Sequence, residues 1–355
     1  MKILYVIEHI SAKGGLERIV IDKMNALSED EALDVTLLTI WKDTDRPAYP
    51  VGPRVGQACL GIPRPGSLLG MMGALPRVLH RYNREVKCQA PDIVVYFRAM
   101  GALLAACSTW KGRSIFETHS ARQYCNHKWL YPWMERKVNA VVCLTQDDAR
   151  HYFHAARVEV IPNFTSMTCP PSAGACRSNR RCSFVGRLCP EKDPMRLLGL
   201  WKEIASRMPG WTLDIYGSGE LEERMKEEIR WSALSETVTM HGFAEDVSSI
   251  YAETDILLLT SLTEGFPMVI IEAMRCGVPV VSTDCPCGPA EVIENGKTGM
   301  LVPLDDDPAY VDAVCRLMRD TGMRERMGRE AVECSRHYCV PEILARWKTL
   351  FADLT

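Results

Sequence analysis

Residues 256–274 read ILLLTSLTEGFPMVIIEAM, and this stretch decides the architecture. Four apolar residues from Ile256 end at Thr260, a run too short for a helix and apolar on both faces. It fits a parallel strand buried between two helical layers. A polar loop with Glu264 and Gly265 follows, and then an apolar stretch at helical spacing. Pro267 suits the first helical position, which puts Glu272 about one and a half turns inside the helix. A carboxylate set among Val269, Ile270, Ile271 and Met274 is not buried without a partner. A ribose diol is one fitting partner, because a carboxylate accepts two hydroxyl hydrogen bonds at once. An arginine across a domain interface is the other.

Working outward, the same strand–loop–helix unit recurs along the chain. In the second half, strands are expected at Cys182–Gly186, Trp211–Tyr216, Val238–His241, Ile256–Thr260, Val278–Thr283 and Gly299–Val302. Helices fall between them, among them Pro194–Arg207, Gly219–Trp231 and Pro308–Arg319. The first half repeats the rhythm with strands at Lys2–Ile7, Asp34–Ile40, Pro91–Phe97, Arg113–His119, Ala140–Thr145 and Val158–Pro162. Helical spacing marks Leu16–Leu27 and Gln146–His154. Alternation of this kind specifies an α/β fold with two doubly wound parallel sheets. At 355 residues the chain also exceeds what one core supports. The expected boundaries are a first domain over 1–165, a linker over 166–181 where periodicity is lost, and a second domain over 182–339. The last segment, 340–355, carries Ile343, Leu344, Trp347, Leu350 and Phe351 on one stripe. Such a helix must dock, and it is expected to cross back onto the first domain.

In open α/β sheets, ligands bind beyond the carboxyl ends of the strands. Three further clusters fall at that edge. Lys13-Gly14-Gly15-Leu16-Glu17-Arg18 follows the first strand; its glycines would let backbone approach a phosphate or a sugar, with the next helix start offering N–H groups. Equally, the pair is a simple turn, and the dinucleotide fingerprint is absent. Residues 185–192, VGRLCPEK, place Arg187 and Lys192 around a strand-to-helix loop. Fixed cations there would stabilise the charge of a departing diphosphate, unless the loop is merely a solvated basic one. His119, in ETHS at the end of a first-domain strand, could hydrogen-bond a donor sugar or position an acceptor, or serve as a satisfied structural residue.

Composition excludes several classes. Hydrophobic residues make up 47% and charged residues 25%, and the net charge is -3, which gives no sign of nucleic-acid binding. The charge is split, +5 over residues 1–165 and -8 over 166–355, which is either scatter between domains or a basic half that could sit near anionic lipid or take an anionic acceptor. No run is long enough to span a bilayer, and the start reads as a buried strand and not a signal peptide. Fifteen cysteines without an export signal imply free thiols and a cytoplasmic setting. The spacing of Cys169, Cys176, Cys182 and Cys189 does not match a zinc site, nor does Cys285-Pro286-Cys287. In Pro65–Lys87, Leu68, Leu69, Met71, Met72 and Leu75 precede Arg77, His80, Arg81, Arg84 and Lys87. As a helix this segment packs in the core, the reading slightly preferred, or lies peripherally on a membrane.

Glu264 and Glu272 form a Glu-x7-Glu pair, and TEGFPMVIIEAMRCGVPVVSTD resembles glycosyltransferase family 4 throughout. So do GPAEVIENGKTGMLVP (residues 288–303), VGRLCPEK, GGLER and ETHS, so the resemblance covers nearly the whole chain. It implies a GT-B fold, two Rossmann-like domains facing an interdomain cleft, with acceptor on the first and nucleotide-sugar donor mainly on the second. Arg187 and Lys192 would then bind the diphosphate, Glu272 the ribose, and Glu264 the hydroxyls of the donor sugar. Gly242 and Phe243 would border the base, and Gly14 and Gly15 would close over phosphate and sugar. His119 matches the family's cleft histidine. Pro267 has no N–H, so a donor contact at that helix start must come from Met268 or Val269. The implied reaction is a retaining, metal-independent hexosyl transfer, with no cofactor beyond the substrate. The expected donor is a uridine-diphosphate sugar, and the acceptor a glycan or lipid-linked saccharide in surface polysaccharide biosynthesis. The competing classes are a nucleotide-sugar epimerase on the same fold and a silent nucleotide-sugar-binding partner.

Overall fold

Seven short strands, β1 (Lys2–Ile7), β2 (Asp34–Lys42), β3 (Gly56–Pro63), β4 (Ile93–Phe97), β5 (Arg113–Glu117), β6 (Ala140–Cys143) and β7 (Val158–Val160), form one sheet. Its order is β3-β2-β1-β4-β5-β6-β7, and every neighbouring pair is parallel. Six more, β8 (Arg181–Val185), β9 (Thr212–Tyr216), β10 (Val238–Gly242), β11 (Ile256–Leu259), β12 (Val280–Asp284) and β13 (Gly299–Pro303), form a second sheet. It is again all parallel, in the order β10-β9-β8-β11-β12-β13. Both sheets are doubly wound: the order runs outward from the first strand one way, then reverses and continues the other way. The computed structural model describes residues 1–11, 15–42, 47–168, 179–244 and 246–355.

The chain divides into two units, Met1–Phe164 with Val340–Thr355, and Thr165–Cys339. Most of the segment expected to connect them lies outside the described residues, and Arg181 already belongs to β8. In each unit the central strands are apolar on both faces because helices cover both. β4 and β11 are buried at every position. The terminal helix, Val340–Leu354, sits in the first unit. Its stripe of Ile343, Leu344, Trp347, Leu350 and Phe351 joins the core made by β1, β4 and the helix Gly15–Ser28. Lys348 reaches Asp30 at 2.5 Å, and Arg157 reaches Asp353 at 2.9 Å, fixing the C-terminal half of the helix.

Three elements depart from the sequence reading. β3 was not anticipated: its sequence, GQACLGIP, holds two glycines and a proline and buries only Leu60 and Ile62, as an edge strand can. The helix expected over Gln146–His154 closes after one turn, Gln146–Ala149. The helix Leu68–Gln89 buries Val78, Tyr82 and Val86, yet its first turns stand in solvent. Leu69 is 81% exposed and Met72 66%, so the core reading fails for that end.

Replacing Trp347 by alanine should cost the first unit about 3–5 kcal/mol, the usual loss for a large buried aromatic. Urea unfolding followed by circular dichroism measures it; a loss below about 1 kcal/mol would show that this helix contributes no core to the unit.

Candidate active site

In the second unit the winding reverses between β8 and β11. In open α/β sheets such a reversal is where ligands bind, beyond the carboxyl ends of the strands. The loop after β8 runs through Arg187 into a single turn, Pro190–Lys192. Asp193 then adopts a left-handed conformation, φ 42°, and caps the helix Pro194–Arg207 by accepting from the Arg196 amide at 3.2 Å. This cap turns Lys192 back over the sheet edge. The loop after β11 is bound to it: the Thr260 hydroxyl donates to the Asp193 carbonyl at 2.9 Å, and the Leu262 amide donates to the Glu191 carbonyl at 2.8 Å.

These contacts bring Lys192 and Glu264 together. The ammonium reaches both carboxylate oxygens at 2.5 Å, and Ser261 donates to one of them at 2.7 Å. The lysine keeps 20% side-chain exposure, the glutamate 5%. The loop after β12 closes behind the acid, with the Glu264 amide on the Pro286 carbonyl and the Thr283 hydroxyl on the Ser261 carbonyl at 2.7 Å. A side chain on Gly288 would lie 3.0 Å from the Glu264 Cβ and 2.8 Å from Pro267, so only glycine fits there. Arg187 stands exposed on the same loop as Lys192. The Cys189 thiol, backed by the charges of Arg187 and Lys192, holds the Glu191 carboxyl below its ordinary range.

The helix after Glu264 begins at Met268, with Pro267 as its cap residue, so Glu272 sits little more than one turn inside. It is buried, and the Tyr251 hydroxyl approaches it at 3.4 Å. Of the two amides expected to be available at this helix start, Met268 donates to the Phe266 carbonyl at 3.0 Å. Val269 is therefore the better-placed donor. Gly242 ends β10 at φ 74°, and Phe243 beyond it is 58% exposed.

Gly217 and Gly219, which sequence reasoning passed over, pack directly on the Lys192 loop. A Cβ on Gly217 would fall 1.8 Å from the Gly186 carbonyl oxygen, and one on Gly219 2.3 Å from that of Leu188. Two glycines two residues apart at the end of β9 were the available signal.

The first unit has a corresponding reversal between β1 and β4, and a cavity of about 440 Å³ opens at that edge. Glu8, Arg98, Thr118, His119, Tyr124 and His127 are among its walls. His119 Nε2 lies 2.9 Å from Glu117, the last residue of β5, and Glu117 is ion-paired on its other side with Lys23. Arg98, also missed, follows β4 directly in a left-handed conformation, φ 55°, and pairs with buried Glu17 at 2.7 Å. Strained backbone at a strand's carboxyl end is a mark of a functional edge. Gly14 lies outside the described residues. Gly15 starts a helix, and a Cβ there would meet nothing within 4 Å, so no contact among the described residues requires its glycine.

Burial pushes the His119 imidazole below its ordinary value of 6.5, more than the neighbouring Glu117 raises it. Burial would raise Glu117, but Lys23 and His119 outweigh that and hold it below 4.5. At neutral pH the pair is thus a neutral imidazole beside a carboxylate.

Two family models match the chain, "Glycosyltransferase Family 4" over residues 13–167 and "Glycosyl transferases group 1" over residues 178–333. The amylovoran biosynthesis glycosyltransferase AmsD of Erwinia amylovora is 28% identical over 98% of this chain and 99% of its own. Among solved structures, the lipopolysaccharide outer core galactosyltransferase WaaB superposes with a TM-score of 0.82 at 19% identity, each chain covered completely. HepE from Anabaena, solved with UDP, gives 0.80 at 18%, again over the whole of both chains. These two share the fold, a GT-B pair of α/β domains.

His119 carries a pH signature. An unfolded chain binds a proton there as pH falls past about 6.5, whereas the folded unit resists until its lower value, so stability is lost as pH falls. Glu117 continues the loss below about 4.5, in the same direction. Urea midpoints should fall between pH 7 and pH 5, and fall less in His119→Gln. Identical slopes for the two proteins would refute the buried neutral imidazole.

Proposed function

We propose a specific reaction for this chain, which belongs to glycosyltransferase family 4: transfer of a hexosyl unit from a uridine-diphosphate sugar, with retention of anomeric configuration and no metal ion. The chain is a glycosyltransferase of glycan biosynthesis. The acceptor we assign is a glycan or lipid-linked saccharide of a surface polysaccharide, held by the first domain, with the donor held by the second.

The observation that carries this reading is the Lys192–Glu264 contact at the β8/β11 reversal. A cation and an acid held by three loops are each other's partner until a ligand offers better ones. A diphosphate takes the lysine, with Arg187 closing from the same loop. The carboxylate, released, accepts hydrogen bonds from the hydroxyls of the sugar. Glu272 takes the ribose diol, the Val269 amide a phosphate oxygen, and Gly242 and Phe243 border the base.

In the reaction the bond from C1 to the phosphate oxygen breaks and its electron pair leaves with the diphosphate. Lys192 and Arg187 stabilise that charge as it develops. The acceptor oxygen forms its bond to C1 on the same face, and its proton passes to the departing phosphate oxygen. His119 positions a reacting hydroxyl. A UDP-bound protein of the same fold supports the choice of base. For metal independence, the two cations supply the charge compensation a metal would give. Of the acids at residues 305–307, Asp306 caps a helix and Asp307 pairs with Arg196.

UDP, but not GDP, should raise the melting temperature. Purified protein with a UDP-hexose should transfer sugar in EDTA and give an axial-configured product by NMR. Lys192→Ala should lose about a hundredfold or more in kcat. Glu264→Ala should bind UDP yet transfer poorly. Inversion, a requirement for manganese, or full activity in Glu264→Ala would each overturn a part of this assignment.

We further assign the exposed start of the helix Leu68–Gln89 to an anionic membrane surface. No helix among the described residues is long and apolar enough to cross a membrane. Support for surface contact comes from exposed Leu69, Met71 and Met72 and from charge: residues 47–84 hold five arginines and no acid. The protein should float with phosphatidylglycerol vesicles, and a Leu69→Gln, Met72→Gln double variant should not. Flotation no greater than with neutral vesicles would remove the membrane from the account.

A further inference from the structure

The first unit holds a charged residue pair that the reaction above does not use. Lys23 lies in the helix Gly15–Ser28 with its side chain 2% exposed, and Glu117, at the end of β5, is 1% exposed. The ammonium donates to both carboxylate oxygens. Around it stand three aromatic rings: Tyr5 of β1 and Phe97 of β4, each with its centroid 5.7 Å away, and Trp347 of the terminal helix at 4.1 Å. Phe97 in turn packs on the His119 ring at 5.8 Å. Taking two charges out of water is costly, and replacing a buried ion pair by hydrophobic residues of similar volume is often neutral or stabilising. A buried pair at this position therefore calls for a role besides stability.

That role follows from hydrogen-bond chemistry. A lysine ammonium has donors only and an ionised carboxylate has acceptors only. Lys23 keeps Glu117 ionised inside the core, so the nitrogen facing Glu117 must carry the hydrogen. His119 Nε2 is that nitrogen, at 2.9 Å. Because the ring is held neutral by burial, its Nδ1 is left as a lone-pair acceptor. His119 lines the cavity at the sheet edge, and a lone pair accepts from a hydroxyl but repels a phosphate oxygen.

We propose that Lys23 and Glu117 are positioning residues that lock His119 in its Nε2–H tautomer, so that Nδ1 accepts a hydrogen bond from a substrate hydroxyl and does not donate to the diphosphate. The terminal helix takes part, because Trp347 closes the aromatic cage over Lys23. The proposal rests on the reading in which His119 meets substrate, but the tautomer is a property of the protein alone.

Long-range proton–nitrogen NMR on histidine-labelled protein reads the tautomer directly, with the His119 signals identified by their loss in His119→Gln. The wild-type protein should show Nε2–H near neutral pH. In Glu117→Gln, Lys23 can only donate and so takes the carboxamide oxygen, turning the NH2 toward His119. The tautomer should then invert to Nδ1–H, and kcat should fall about a hundredfold, the scale of a misplaced proton. KM for the donor should stay within a few-fold, which a general loss of structure would not allow. Should Glu117→Gln not fold, Lys23→Met with Glu117→Gln removes both charges; it should show mixed tautomers and an intermediate kcat. A wild-type Nδ1–H tautomer would overturn the proposal. So would a Glu117→Gln protein, or failing that a double variant, that keeps Nε2–H and full kcat. Full activity in His119→Gln would instead sink the functional reading of His119 while leaving the tautomer assignment standing.

Discussion

A parallel sheet wound outward in both directions from its first strand has one place where adjacent loops part, and both halves of this chain are organised around that place. Right-handed crossovers send the helices after β1 and β4 to opposite faces, and likewise those after β8 and β11. The backbone at those carboxyl edges cannot fill the gap it creates. Polar side chains can occupy it without burying unpaired groups, which is why Lys192 and Glu264 collect at one reversal, and Arg98, Glu17 and Glu8 at the other. The apolar layers beneath fix the position of each loop to the strand it leaves.

Both sites contain a lysine–glutamate pair, and burial makes them different devices. Lys23 and Glu117 are almost wholly enclosed, surrounded by aromatic rings and by the terminal helix. No ligand can replace either partner, so the pair can act only on what it already touches. Lys192 and Glu264 are set at the edge of their sheet, the lysine a fifth exposed. There a competing anion can take the cation at modest cost, because the lysine remains within reach of water.

Much of the architecture was legible because buried strands and helical spacing leave strong local patterns; all six strands of the second sheet lie within two residues of expectation. β3 was not, because an edge strand that faces water on most positions has no apolar pattern to show. In the second unit, Arg187 and Lys192 were legible because both lie in the loop after β8, and Glu264 because it lies in the loop after β11. The partners in the first unit were not. Lys23 reads as an ordinary charge on a helix, and only the fold brings it to Glu117, 94 residues away. The exposed start of the helix Leu68–Gln89 was misread for a related reason: helical spacing shows which residues share a face, not whether anything covers it.

The two edges are also built from different materials, and that bears on how such a protein can change. Around Lys192 and Glu264 the fit depends on close approach at three glycines: Gly217 against the Gly186 backbone, Gly219 against the Leu188 backbone, and Gly288 against the Pro267 ring and the Glu264 side chain. A methyl group at any of the three collides with atoms that cannot move without shifting a loop, so this site has little freedom to vary. The cavity beside His119 is lined instead by side chains on loops, such as Tyr124 and His127, that face open space. Those can be exchanged while β5 and the Lys23–Glu117 pair keep His119 in place. On the proposed assignment, the rigid edge would hold the diphosphate of the donor and the side-chain-lined edge the acceptor, so substitutions that change the acceptor cost the fold less than any that change the donor site.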